Sequence, residues 1–337
     1  MAWMLLLLAA LIQVRGQPLD GGRVSGSAVV ALERAAGGDT PVLSFRSARG
    51  PLRLLLDTGA TSTMVTPQLV GRLGLPDSAL SPEAFALAGG GDGCAALRPR
   101  RVRLPDLNLG RDSVSGGVRL RGVEALVLPV AALPPGVDGV LGAPTLRRLP
   151  FWVDPQAGRL AFGAAVVALA PAGPERPRRG WRDAAPPMGS GHLTTAAAPA
   201  GPERVRLRWH FGVPLLDLRT PLGVMPALAD SGAEGLFISG ELAARLALPD
   251  SGHWLRLVGF CGEQAVQQNP VSGLSLAGVV DSEAASSAAQ QLSVPVIVTD
   301  NPIFRLLGVE AIVGQELLRQ RRQLWRLDLQ PPWLELH

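Results

Sequence analysis

The chain has 337 residues and a formal charge of +4, with 47% hydrophobic and 18% charged residues, a length that corresponds to about two domains. Its 40 glycines and 30 prolines exclude long helices and favour short strands joined by turns. All the basic residues other than histidine are arginine, and the densest groups, Arg98/Arg100/Arg101/Arg103 and Arg319/Arg321/Arg322, have no interleaved aromatics, so a nucleic-acid partner is set aside.

Residues 1–16 open with an apolar run from Met1 to Ile12. The run has the length of a signal-peptide core and is too short to span a bilayer. No Arg or Lys precedes it and no clean A-x-A site follows, so a short N-terminal anchor is the other reading. Either way the expectation is export, periplasmic or secreted, with tethering through the N-terminus as a variant.

Residues 22–163 read as a first β-rich lobe. Ser27–Leu32, Pro41–Phe45 and Leu52–Leu56 have strand character, and the last runs straight into Asp57. Extension resumes at Thr63–Val65. Pro67–Leu73 is a short helix, with Thr66 as N-cap, Pro67 at the first helical position and Gly74 as the stop. Ala84–Leu97 looks like a hairpin with Gly89 to Gly93 at its tip. A strand over Val123–Pro129, a helix over Pro144–Leu149 and a hairpin from Phe151–Asp154 and Arg159–Phe162 complete the lobe. Residues 164–203 are rich in Pro, Gly, Ala and Arg and contain an echo, Ala170–Arg176 recurring as Ala198–Arg204. This composition reads as an extended linker. Residues 204–337 repeat the order of elements: a strand into Asp230, a helix over Gly240–Leu246, a hairpin around Val258–Val266, a strand over Val294–Thr299, a helix over Gln315–Arg319 and strands to Leu336.

The two halves align. Asp57-Thr58-Gly59 falls on Asp230-Ser231-Gly232 at an offset of 173, and Leu73–Ser78 falls on Leu246–Ser251 without a gap. Asp138–Gly142 meets Glu310–Gly314 at 172, and Asp154 meets Asp328 at 174. Four matched blocks in one order predict an internal duplication. Such a repeat tends to pack about a pseudo-two-fold axis, where a residue meets its own equivalent.

That expectation gives the triplets their chemistry. A lone D-T-G is a weak signal, because strand–turn junctions produce it by chance. Two equivalent carboxylates meeting at an axis cannot both ionise, so they share one proton. One then acts as base on a water and the other as acid toward a peptide carbonyl. Competing chemistries lack their residues. Four scattered histidines and two cysteines show no zinc-ligand spacing, and neither H-E-x-x-H nor G-x-S-x-G occurs. No cofactor or metal is expected.

An apolar strand into Asp57-Thr58-Gly59-Ala60-Thr61-Ser62, a glycine-rich hairpin, then Gly139-Val140-Leu141-Gly142 and a short helix resembles the retropepsin-like aspartic protease family. The resemblance covers most of residues 24–163 and, more loosely, 204–337. It implies an all-β fold of two acid-protease β-barrel lobes with short helices, fused in one monomeric chain. It also implies an endopeptidase acting on extended peptide or protein substrates. Asp57 and Asp230 would be the dyad. Thr58 and Ser231 would form a hydroxyl grip beneath it, within the turns Gly59-Ala60 and Gly232-Ala233. Hairpins carrying Gly89, Gly90 and Gly91, and Gly259 and Phe260, would be flaps over the substrate. Gly142 and Gly314 would close the loops under each turn.

Some features depart from the pattern. Glu234-Gly235 replaces Thr61-Ser62, and the strand into Asp230 is the weaker Ala227-Leu228-Ala229. Tyrosine is absent, which removes the flap tyrosine of pepsin-like enzymes. Ala60 and Ala233 stand where a hydroxyl residue would stabilise the ionised dyad, which predicts a mildly acidic to near-neutral optimum. If both hairpins are flaps, Cys94 and Cys261 could approach and pair as a redox-sensitive link limiting substrate entry; two separate thiols are the alternative. Two further function classes stay open: a non-catalytic peptide-binding relative of the same fold, and an interaction module using only the β-framework.

Overall fold

A computed structural model describes residues 5–8, 11–81, 85–89, 94, 96–110, 117–130, 133–169, 202–277 and 293–337. The fold is mostly β and forms two lobes, each built around its own large sheet. Among the described residues, one sheet of eleven strands is built from 23–141, and one of ten strands is built from 208–313 plus Leu5–Leu8.

The centre of each lobe has the same wiring. In the first, Gly50–Leu56 runs parallel to Gly139–Leu141, which lies antiparallel to Thr63–Val65, which is parallel to Glu124–Val127. In the second, Gly223–Ala229 runs parallel to Ala311–Val313, which lies antiparallel to Leu236–Ser239, which is parallel to Ser293–Thr299. The short inner strands Thr63–Val65, Gly139–Leu141, Leu236–Ser239 and Ala311–Val313 are buried along their whole length, which suits their nearly continuous apolar sequences. Thr63–Val65 and Leu236–Ser239 each lead directly into a short capped helix. Over Pro67–Leu73 the Thr66 hydroxyl accepts from the Leu69 N–H at 3.2 Å, and Gly74 stops the helix in the left-handed region at φ 59°. Over Gly240–Arg245 the Ser239 hydroxyl accepts from the Leu242 N–H at 3.0 Å. Side-chain caps of this kind contribute about 1 kcal/mol each.

A six-stranded sheet joins the lobes. It takes Ala28–Ala31, Phe151–Asp154 and Arg159–Phe162 from the first and Glu203–Arg206, Gln323–Arg326 and Trp333–Leu336 from the second. The seam is the antiparallel pairing Phe151↔Trp325 to Val153↔Gln323. Phe151 stacks on Trp325 with ring centroids 5.7 Å apart, and both are fully buried. Two large aromatic side chains packed at one seam join the lobes by apolar burial as well as by strand pairing.

Three local differences from the sequence expectations have physical causes. The segment read as a linker begins with a helical turn, Ala165–Leu169, which packs Val166 against Trp152 and Ala161; residues 170–201, including most of the echo, lie outside the described residues. A helix over Ile303–Leu307 follows Asp300-Asn301-Pro302, a sequence that reads as a turn but whose Asn301 carboxamide oxygen accepts from the Ile303 N–H at 3.0 Å. The strand Ala86–Gly89 does not pair with a return strand of its own hairpin among the described residues. It pairs with Leu11–Arg15 of the N-terminal segment, while the chain after Cys94 tightens into a turn closed by the Leu97 N–H on the Cys94 carbonyl at 3.2 Å.

Candidate active site

Asp57 and Asp230 each sit one residue past the end of a central strand. The Asp57 N–H donates to the Leu141 carbonyl at 3.1 Å and the Asp230 N–H to the Val313 carbonyl at 2.9 Å. Each carboxylate then folds back on its own turn. Asp57 Oδ1 accepts from the Gly59 N–H at 2.7 Å, and Asp230 Oδ1 accepts from the Gly232 N–H at 2.8 Å. The glycine at the third position is required by proximity. A Cβ on Gly59 would fall 2.4 Å from Asp230 Cγ, so the backbone of one turn lies directly against the carboxyl group of the other.

Thr58 and Ser231 lock the turns together by a reciprocal exchange. The Thr58 N–H donates to Ser231 Oγ at 3.1 Å, and the Ser231 N–H donates to Thr58 Oγ1 at 3.0 Å. The Thr58 hydroxyl passes its own proton to the Ala229 carbonyl at 2.7 Å, and the Ser231 hydroxyl passes its proton to the Leu56 carbonyl at 2.9 Å. All four bonds are buried, where an unmade bond is costly, so either hydroxyl holds both strand ends in place.

Ala60 and Ala233 are fully buried, and their carbonyls accept from the Ala143 and Gln315 N–H groups at 2.9 and 2.8 Å. Gly142 and Gly314 stand at this crossing. A Cβ on Gly142 would meet the Ser62 carbonyl oxygen at 2.6 Å, and one on Gly314 would meet the Ala233 oxygen at 2.3 Å. Only glycine admits that approach.

The electrostatics follow from enclosure. Both carboxyl groups are fully buried. Burial, then the charge of Asp230, then a hydrogen bond between the two carboxyls hold Asp57 well above the usual carboxylate range, against the pull of the Gly59 and Ala60 N–H groups. Burial also pushes Asp230 up to about 6, with the Gly232 N–H, the hydrogen bond from Asp57 and the Ala233 and Gly59 N–H groups holding it down. Oδ2 of each Asp is buried without a donor from the rest of the protein. A proton held by the pair satisfies one of them, and the titrations belong to the pair. Burial raises both groups, so the pair holds a proton to higher pH than two free carboxyls would.

The remaining sequence-predicted residues fall around this centre. Gly259 and Phe260 lie at the end of a long hairpin, Trp254–Gly259 and Gly262–Ser272, whose tip crosses to the first lobe. There Phe260 is buried in a cluster with Ala60 and Phe85. Gly89 ends the strand Ala86–Gly89; Gly90 and Gly91 lie outside the described residues. Cys94 and Cys261 form a disulfide, so the reading of two separate thiols is corrected, and Cys94 of the first lobe is covalently joined to the tip of the second lobe's hairpin. Among the described residues no cluster of His, Cys, Asp and Glu could hold a metal ion, and no helix is long and apolar enough to cross a membrane.

Sequence reasoning missed three supporting residues. Glu234, read only as a departure, accepts from the Asp39 N–H at 2.7 Å, the Thr40 N–H at 2.9 Å and the Thr40 hydroxyl, and so ties the Asp230 turn to the other lobe. Gln315 donates from Nε2 to the Ser231 carbonyl at 2.7 Å. Gln13 donates its N–H to Thr61 Oγ1 at 2.7 Å. The signal available for Gln315 was its place directly after Gly314; for the other two there was none, because their partners are remote in sequence.

Comparison with solved structures finds distant matches along most of the chain. A basic 7S globulin from lupine seeds, conglutin gamma, is 11% identical, with 94% of this chain and 95% of that chain covered and a TM-score of 0.43. The aspartic proteinase of Irpex lacteus is 13% identical, with 92% and 96% covered and a TM-score of 0.39. No curated protein matches the chain. Residues 46–145, which contain the Asp57 turn and its supporting loop, match the family described as aspartyl protease.

Proposed function

We propose that the chain is an aspartic endopeptidase in which Asp57 and Asp230 act as one dyad. The single observation that carries this reading is the pair of buried carboxyl groups, held face to face by the reciprocal Thr58–Ser231 bonds with both titrations raised. In this reading the ionised carboxylate takes a proton from a water. The water oxygen bonds to the peptide carbonyl carbon, and the carbonyl oxygen takes the proton of the other Asp. Collapse of the tetrahedral intermediate breaks the C–N bond, with a proton delivered to the leaving nitrogen. Thr58 and Ser231 position the carboxylates and do not touch the substrate.

The finer parts of the reading belong with it. The two lobes, 22–163 and 204–337, arose by duplication and act as a monomer, joined through 164–203. The hairpins ending at Gly89 and Gly259 cover an extended peptide or protein substrate, and the Cys94–Cys261 bridge limits its entry. A disulfide suits an oxidising compartment, which agrees with export.

Hydrolysis of an unfolded protein at near-neutral pH is the test. Asp57→Asn and Asp230→Asn, each alone, are expected to lower the rate by at least about 10³-fold, since each removes a group the other needs. Full activity in either single variant would sink the shared dyad. A folded chain with no cleavage but with saturable peptide binding would instead favour the non-catalytic relative.

A further inference from the structure

The second lobe holds a cavity of about 240 Å³ that shares no residue with the dyad. Its polar lining is Ser239, Glu241, Asp300, Asn301, Arg305 and Glu310. The first lobe shows which of these have a counterpart. Arg72 bonds Asp138 at 2.9 Å, and the equivalent Arg245 bonds Glu310 at 3.0 Å. The Ser239 hydroxyl also donates to Glu310 at 2.9 Å, so Glu310 is fully engaged in the frame of the lobe. Gly240 stands where the first lobe has Pro67. A Cβ on Gly240 would fall 2.4 Å from Asp300 Oδ1. The Asp300 carboxylate therefore occupies space that a side chain fills in the other half.

Four groups at this cavity are left over. Among the described residues, no hydrogen bond or ion pair engages the side chains of Glu241, Asp300 or Arg305. Asn301 is 3% exposed. Its Oδ1 accepts from the Ile303 N–H at 3.0 Å, but its Nδ2 is buried with no acceptor. A buried donor left unpaired is costly. The two carboxylates call for a cationic donor, while Asn301 Nδ2 and the Arg305 guanidinium call for an acceptor oxygen. A simple cation meets only the first need and a simple anion only the second. No group of His, Cys, Asp and Glu among the described residues could hold a metal ion.

We propose that this cavity binds an α-amino acid group. The α-ammonium nitrogen sits on Asp300 and Glu241, and the neighbouring carboxylate or carbonyl oxygen sits on Asn301 Nδ2 and Arg305. The volume suits one such residue-sized group and not an extended peptide. Two sources carry this chemistry, a free amino acid and the amino terminus of a peptide, and only the first brings a carboxylate for Arg305. Glu241 and Asp300 are exposed, so solvent and salt weaken their pull and the expected Kd is on the order of 1 mM.

Titration calorimetry on the full chain tests this, with Asp57→Asn in place so that no probe is turned over. The probes are L-alanine, L-alanyl-L-alanine amide, N-acetyl-L-alanine and methylammonium chloride. L-Alanine or the dipeptide amide should bind one site per chain, at least about tenfold more tightly than the other two, each of which lacks half of the recognised group. Binding of L-alanine alone identifies a free amino acid, and binding of the dipeptide amide alone a peptide amino terminus. Equal binding identifies a site that reads only the shared ammonium and carbonyl. Asp300→Asn, at an exposed position that does not threaten the fold, should weaken binding about tenfold. So should Asn301→Asp, which keeps the oxygen bonded to Ile303 and exchanges only the Nδ2 donor. Glu263→Gln, outside the cavity, should change nothing. Methylammonium binding as tightly as L-alanine would reduce the site to an acidic surface and overturn the proposal. So would the absence of saturable binding up to about 50 mM, affinities unmoved by both cavity substitutions, or an equal loss in Glu263→Gln.

Discussion

The turns at Asp57 and Asp230 share a centre and differ at the rim. At the centre the bonds are interchangeable, with Thr58 and Ser231 each donating and accepting across the axis at 3.0–3.1 Å. Three residues on, the halves part. Thr61 and Ser62 turn their hydroxyls to the N-terminal strand at Gln13. Glu234 instead gathers the Asp39 and Thr40 backbone of the other lobe. The bonds at the centre are symmetric. The flanking positions differ, one meeting the N-terminal strand and the other bracing the lobe interface. The irregularity of the second triplet's surroundings is therefore a brace.

This comparison can be broken at several points. The largest expected effect on stability comes from Cys94→Ser with Cys261→Ser, which opens a loop with a sequence separation of 167. Loop-closure entropy sets that loss at about 4–5 kcal/mol. The double variant should also gain several-fold in kcat/KM on a bulky protein substrate relative to a short peptide; an equal ratio would show that the bridge does not limit entry. Next come Thr58→Val and Ser231→Ala. Each leaves a buried carbonyl and a buried N–H without partners, about 2–4 kcal/mol by denaturant unfolding. The two losses should agree within about 1 kcal/mol if the grip is reciprocal, and a silent variant on one side would show that it is not. Smaller still, Glu234→Gln should lose about 1–3 kcal/mol through weakened charge-assisted bonds, against about 1 kcal/mol or less for Thr61→Val. A reversed order would remove the distinction between the brace and the residue that meets the N-terminal strand.

The parts legible in sequence were those set by local rules. Thr66, Pro67 and Gly74 fix the ends of one helix, and the strand Gly50–Leu56 announces itself by its apolar run. The paired triplets were legible because an equivalent position in a second half gives each Asp a stated partner. What sequence could not give was set by contacts between distant segments. Glu234 and Thr40 are separated by 194 residues, and nothing near either names the other. The pairing of Leu5–Leu8 with Trp254–Gly259 and of Leu11–Arg15 with Ala86–Gly89 could not be read from the N-terminal run, because its partners are remote in sequence. The seam Phe151↔Trp325 likewise depends on how two complete lobes meet.

The pH dependence of kcat/KM tests the shared proton most directly. Below about pH 6 both carboxyls of the dyad hold protons and the base is lost, because Asp230 titrates at about 6. On the alkaline side the acid is lost as the second proton leaves, and burial and the Asp230 charge hold that step well above the usual carboxylate range. The expected profile is a bell with its acid limb near 6 and its maximum toward neutrality. A rate that peaks near about pH 2, as for a dyad whose first carboxyl ionises well below the usual carboxylate range, would contradict the account.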